Sequence, residues 1–178
     1  TTTTLCAKYD GEVVGTISLI RESALGVPLQ KIFDLNSVRE KEGLIAEVSA
    51  LAVHRRFRKT GGSILFPLMK FMYEYCTTFF DTRHLVIAVN PRHIEMYESL
   101  LFFKRLTANV VENYDFVNGA PAVGAALDGF YCMRKRRFRS PMITLFHSSG
   151  RLLSHTESQE FPAGGYVGFS EDVLQVFL

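Results

Sequence analysis

The stretch with the most chemical potential runs from Leu51 to Ser63 and reads LAVHRRFRKTGGS. An apolar strand enters a basic turn, and two glycines open a helix. Unsatisfied amides at a helix start, together with the positive end of its dipole, favour an anion. Glycine lets backbone approach a phosphate closely, and Arg58 and Lys59 add charge. A tight strand-to-helix turn with a solvated basic face fits the same residues. No Gly-Lys-Ser/Thr follows, so this is not a P-loop, and it is not G-x-G-x-x-G. Upstream, Glu47 lies among apolar neighbours in LIAEVSALAV. A carboxylate buried there would be pushed toward the range of a general base. An edge position facing solvent or a structural arginine is the alternative. Downstream, Tyr97 is either a proton donor or an amphipathic core residue. His93 lies one turn earlier on the same helix face. Arg92 suits a carboxylate through its two-pronged guanidinium, although a solvated helix start explains it as simply.

These residues need elements to hold them. Thr1–Tyr9 and Glu12–Ile20 are β-rich runs separated by Asp10-Gly11, a strong hairpin signal. Residues 21–43 are mixed and charged; they predict a long connection with a short helix around Ser37–Lys41, the kind of insertion that forms a lid or binding loop. Leu44–Val53 is continuously apolar except for Glu47 and Ser49, which predicts a central strand covered on both faces. Ser63–Phe79 has apolar residues at helical spacing; Pro67 predicts either a helix start at Ile64–Phe66 or a bend. His84–Val89 is a further strand. Pro91–Leu101 is a second helix with Asn90 as its cap. Arg105–Glu112 and Ala120–Leu127 complete the pattern. The order predicts an α/β fold, a mixed central sheet with helices on both faces.

Bulk properties narrow the class. The chain has 178 residues, 47% hydrophobic and 21% charged, with a net charge of +2. That is globular and gives no reason to expect nucleic acid as a partner. Three cysteines without C-x-x-C spacing disfavour disulfides and a cysteine zinc site, and the five histidines show no metal-ligand spacing; no metal is expected. No apolar run reaches about 18 residues, so no transmembrane segment is expected, and no signal peptide is visible. A cytoplasmic location is the expectation.

Leu51-x-Val53 followed by Arg58-x-x-Gly61-Gly62-Ser63 resembles the acyl-donor motif of the GNAT acyltransferase superfamily, with Ser63 where Gly or Ala is usual. The resemblance implies that Leu51, Val53, Arg58, Lys59, Thr60, Gly61, Gly62 and Ser63, with Asn90, bind the pantetheine portion of an acyl thioester. The thioester would lie where this strand splays from the next. Asn90–Tyr97 resembles the superfamily's region in which a tyrosine protonates the leaving thiolate. That implies catalytic roles for Glu47 as base and Tyr97 as acid, with His93 assisting. Strand amides near Ala50–Val53 would hold the developing oxyanion. A narrower resemblance rests on VNPRHIEMYESLLFF (89–103) and VNGAPAV (117–123). These are similar to bacterial long-chain N-acyl amino acid synthases, of the N-acyl tyrosine synthase type, over about residues 5–128. That family implies a long-chain acyl group delivered by acyl carrier protein, alternatively coenzyme A, to the amine of a free amino acid, tyrosine first. No tightly bound cofactor is implied.

Carrier docking would fall to Arg55 and Arg56 beside the donor loop. The run Arg134-Lys-Arg-Arg137 with Arg139 offers Arg134, Arg136 and Arg137 as a second basic patch, if it is more than a solvated face. Phe66, Phe71, Phe79, Phe80, Phe102 and Phe103 suggest an apolar tunnel, but are mostly expected as core. The expected division is an acyltransferase domain over residues 1–139 and a C-terminal extension, 140–178, packed on it. GNAT domains normally begin with a strand and two helices before the hairpin, so those N-terminal elements are expected to be absent here. Two rivals remain: a GNAT N-acetyltransferase using acetyl-CoA, and a non-catalytic module whose basic cluster grips nucleic acid.

Overall fold

The computed structural model describes residues 1–115 and 118–128. The boundary expected at residue 139, the extension 140–178 and the basic run at Arg134–Arg139 lie outside these residues. Among the described residues seven strands form the sheet: β1 Thr2–Tyr9, β2 Glu12–Arg21, β3 Leu44–Val53, β4 Thr82–Val89, β5 Lys104–Arg105, β6 Val111–Tyr114 and β7 Ala120–Asp128. Their order is β1-β2-β3-β4-β7-β5, with β6 also on β7. Only β3 and β4 run parallel; every other pairing is antiparallel.

The first hairpin turns through Asp10 (φ 50°) and Gly11 (φ 82°), the positive pair that a type I′ turn needs. The segment expected as one strand over Arg105–Glu112 is divided into β5 and β6. Between them the Asn109 amide donates to Thr107 Oγ1, a local turn that competes with the ladder.

Among the described residues three helices cover the sheet: α1 Asn36–Arg39, α2 Leu65–Phe79 and α3 Ile94–Leu101. Pro67 falls in the first turn of α2, where its missing N–H leaves no bond unmade. Alternation along the strands sends one set of side chains to each face. Ala46, Val48, Leu85, Ile87, Val123 and Ala125 pack with Met69, Met72 and Cys76 of α2 and with Ile94, Tyr97 and Leu101 of α3. Ile45 and Val86 face the other way. There the β2–β3 connection covers them with Val27, Leu29, Phe33, Leu35 and Val38. Gly124 has no side chain to obstruct Phe33; a Cβ there would lie 2.8 Å from its ring. The connection thus packs as a cover over the second face. Arg39 fastens it, donating to Glu22 and to Gln30.

The expected aromatic tunnel is mostly core. Phe103 is buried, and Phe66, Phe71, Phe80 and Phe102 pack partly buried against the α2–α3 side, while Phe79 points to solvent.

Candidate functional site

The site is organised by a parting of two strands. The parallel ladder runs from Leu44–Thr82 to Val48–Ile87 and stops there. Beyond it β3 keeps company only with β2, and β4 only with β7. The cause is local. The β2–β3 register shifts between Thr16 and Ser18, placing an extra residue on β3, and Ala50 takes a positive φ of 47°. Thr16 Oγ1 donates to the Ala50 carbonyl at 3.4 Å. A bulge bends and twists its strand, and here it turns the end of β3 away from β4.

The same bulge aims backbone into the opening. The His54 amide donates to Val14 at 2.8 Å, and Ala52 pairs with Thr16. By the alternation of an antiparallel ladder, the main-chain groups of Leu51 and Val53 face the opposite edge, where β4 has left. The Val53 carbonyl on that edge is taken by Arg58 Nε at 3.1 Å. Arg58 therefore ties the basic turn that follows to the strand end.

That turn is built by short-range bonds. A 3-10 turn, Arg55–Phe57, is capped by His54, whose Nδ1 accepts from the Arg56 amide at 3.3 Å. Thr60 Oγ1 donates to the Phe57 carbonyl at 2.6 Å and also bonds Ser63 Oγ. Gly61 (φ 65°) and Gly62 (φ 82°) then carry the chain into α2. A Cβ on Gly62 would lie 2.3 Å from the Phe66 ring, whereas one on Gly61 would meet open space. Gly61 thus leaves its side of the turn clear, while Gly62 admits Phe66. Arg55, Arg56, Lys59, Thr60 and Ser63 are exposed around it. Arg56 lies 3.6 Å from Glu12 and stacks over Phe57.

Glu47 is 2% exposed and shares the second face with Ile45. Burial raises its carboxyl from 4.5 to about 7, opposed by a hydrogen bond from the Leu29 amide to Oε2 at 2.7 Å. Leu29 belongs to a 3-10 turn, Pro28–Lys31, of the covering connection. The partner is thus an amide rather than an arginine.

Tyr114, at the end of β6, went unnoticed in the sequence. It is 3% exposed, and its phenol is raised to about 12 by burial and by the charge of Glu47. Its neighbours Glu112 and Asn113 are exposed, so no apolar pattern marked it.

Tyr97 lies on the α2–α3 face and is 3% exposed. Phe102 closes α3 in the left-handed conformation (φ 60°), and the Phe103 amide donates to the Tyr97 carbonyl at 3.1 Å. Phe103 is folded back so that its ring meets Tyr97 edge-on at 5.9 Å. Burial raises the phenol above its ordinary value and keeps it protonated. Glu47 on β3 and Tyr97 on α3 therefore occupy opposite faces of the sheet. His93 is exposed at the end of a 3-10 turn, Pro91–His93, and is not buried beside Tyr97. Asn90 caps that turn, its Oδ1 accepting from the Arg92 amide at 3.1 Å.

Arg134, Arg136 and Arg137 lie outside the described residues. Among the described residues no group of three His, Cys, Asp or Glu side chains is placed to hold a metal, and no helix is long and apolar enough to cross a membrane.

Comparison with known proteins agrees with this arrangement. The family profile described as N-acyl amino acid synthase FeeM matches residues 1–128. No curated protein matches significantly in sequence. The structure of FeeM, an N-acyl amino acid synthase from uncultured soil microbes, is 28% identical with a TM-score of 0.60, covering 72% of this chain and 67% of that one. A CoA-dependent acyl-homoserine lactone synthase, BjaI, solved with SAM and isopentyl-CoA, is 20% identical with a TM-score of 0.56, covering 82% and 63%. ElaA of Escherichia coli is 17% identical with a TM-score of 0.50, covering 71% and 68%. The last two show the fold alone. The chain spans about two thirds of the length of these structures. It belongs to the FeeM family of N-acyl amino acid synthases, acyltransferases built on the GNAT fold.

Proposed function

We propose that the protein transfers a long-chain acyl group from the pantetheine thioester of acyl carrier protein to the amino group of a free amino acid, with tyrosine the first acceptor to try. The observation that carries this reading is the parting of β3 from β4 after Val48–Ile87, with a buried carboxyl on one face and a buried phenol on the other. The amides of Leu51 and Val53 border that opening. In the transfer, the amine nitrogen bonds to the thioester carbon and the carbon–sulfur bond breaks. Glu47 takes the proton from nitrogen, directly or through water, and a value of about 7 suits that task near neutrality. Strand amides near Ala50–Val53 stabilise the oxyanion. Tyr97 gives its proton to the departing sulfur and regains one from solvent. His93, exposed at the mouth of α3, assists proton exchange with water.

The Gly61–Ser63 turn and Asn90 bind the phosphopantetheine, with Arg58, Lys59 and Thr60 shaping the turn. Arg55 and Arg56 receive the acidic carrier where its arm enters, and the basic run with Arg134, Arg136 and Arg137 gives the carrier a second charge partner. The supply of carrier-bound acyl groups places the reaction in the cytoplasm. The test presents the full chain with long-chain acyl carrier protein, long-chain acyl-CoA and acetyl-CoA in turn, over a mixture of free amino acids, with products read by mass. A long-chain N-acyl amino acid formed fastest from the carrier supports the proposal. Acetylation alone points to the acetyltransferase reading, and no product from any donor rejects acyl transfer.

A further inference from the structure

The two stretches that carry the narrow family resemblance lie far apart in sequence, yet they line one hollow. Asn90, Pro91 and Arg92 form one wall, and Asn118, Gly119 and Pro121 form the other, around about 460 Å³. The ladder explains the meeting. Val89 is the last residue of β4 and pairs with Val123 of β7. The residues just after Val89 and just before Val123 must therefore face each other. The hollow lies past the C-terminal end of β4, on the side that faces β7. Ligands of open α/β sheets bind at such strand ends.

The lining has a definite chemistry. Arg92 is its one charged residue, and no carboxylate lines it. Among the described residues, nothing accepts a hydrogen bond or forms an ion pair with the Arg92 guanidinium, although its own amide is held by Asn90. Asn118 (φ 55°) and Gly119 (φ 77°) form the facing turn. Prolines 91 and 121 supply apolar walls. A single fork of donors with neutral amide partners suits a planar monoanion. In the proposed function the more highly charged phosphate takes the glycine turn at the end of β3, with Arg55, Arg58 and Lys59 around it.

We infer that this hollow holds the α-carboxylate of the amino-acid acceptor, with Arg92 as its anchor and Asn118 as a second donor. The inference rests on the acyl-transfer reading for its biological sense, but it concerns binding and is testable without turnover. Anchoring there sets the acceptor beside the strand ends and requires a carboxylate next to the attacking amine. An arginine–carboxylate contact of this kind is worth roughly ten- to a hundredfold in affinity.

The test uses the full chain and ligand-detected NMR with free amino acids and their decarboxylated amines, tyrosine against tyramine first. The wild-type protein should bind the amino acid at least tenfold more tightly than the amine. Arg92→Gln should abolish that preference, and Arg92→Lys should keep part of it. Asn118→Asp, which the left-handed backbone tolerates, should weaken the amino acid and spare the amine. Failure of the wild-type protein to bind any amino acid, or equal binding of acid and amine, overturns the inference. So does an Arg92→Gln effect confined to the acyl donor, which would assign the hollow to the pantetheine arm. Failure of the acyl-transfer reading appears separately, as absence of product with every donor while carboxylate-dependent binding persists.

Discussion

Replacing Glu47 by glutamine should make the protein more stable and less active, and the stability gain should depend on pH in a defined way. Raising the carboxyl from 4.5 to about 7 corresponds to about 3 kcal/mol against the ionised folded state. Between those two values the folded chain binds a proton that the unfolded chain has released. Stability therefore falls as pH rises through that window and is level above it. Glutamine keeps the shape and can still accept from the Leu29 amide, but it cannot ionise. Glu47→Gln should match the wild-type protein below about pH 4.5 and exceed it by about 3 kcal/mol at pH 8. Urea denaturation at a series of pH values, followed by circular dichroism, measures the difference. In parallel, wild-type kcat/KM should rise up to about pH 7 and then level, while the variant loses that limb and about 10²- to 10⁴-fold in rate. A stability difference that does not change between pH 4 and 8 would refute the buried-carboxyl argument. Full turnover by the variant would refute the role of base.

Three further outcomes are expected. Tyr97→Phe removes only a hydroxyl from a packed ring, so stability should change by less than about 1 kcal/mol while kcat falls more than KM rises; steady-state kinetics with a carrier-bound donor read the split. Gly62→Ala combines a positive φ with a 2.3 Å clash on Phe66 and should cost about 1–3 kcal/mol and raise the donor KM, whereas Gly61→Ala, facing open space, should cost about 1 kcal/mol, both checked by thermal unfolding. Reversing Arg55 and Arg56 to glutamate should slow association with acyl carrier protein and flatten its salt dependence in stopped-flow measurements, with acyl-CoA kinetics changed far less.

Much of the frame could be read from the sequence because its signals are local. Asp10-Gly11 dictates a turn through backbone permissiveness alone, and the apolar run Leu44–Val53 announces a central strand wherever it pairs. The Gly61-Gly62 turn was visible for the same reason. The parting of β3 from β4 was expected only by resemblance, because the bulge that causes it sits at Ala50, a residue with no compositional mark for positive φ. Glu47 was legible as a carboxylate in an apolar run. Its partner, the Leu29 amide, was not, since backbone amides carry no sequence signature and this one arrives from 18 residues away. Tyr114 and the meeting of Asn90–Arg92 with Asn118–Pro121 escaped notice for a related reason: strand pairing, not local pattern, brings them to the site.

The cover over the second face has one more consequence. Glu47 belongs to β3, but its basicity belongs to residues 22–43, because only while Leu29 and its apolar neighbours exclude water does the carboxyl stay near 7. Loosen the Arg39 clasp on Glu22 and Gln30, and solvation would return the carboxyl toward 4.5, a base some two orders of magnitude weaker. If Glu47 is the base, the pH range of the reaction is set by a connection that supplies no proposed catalytic side chain, and exchanging it would retune the reaction without altering one.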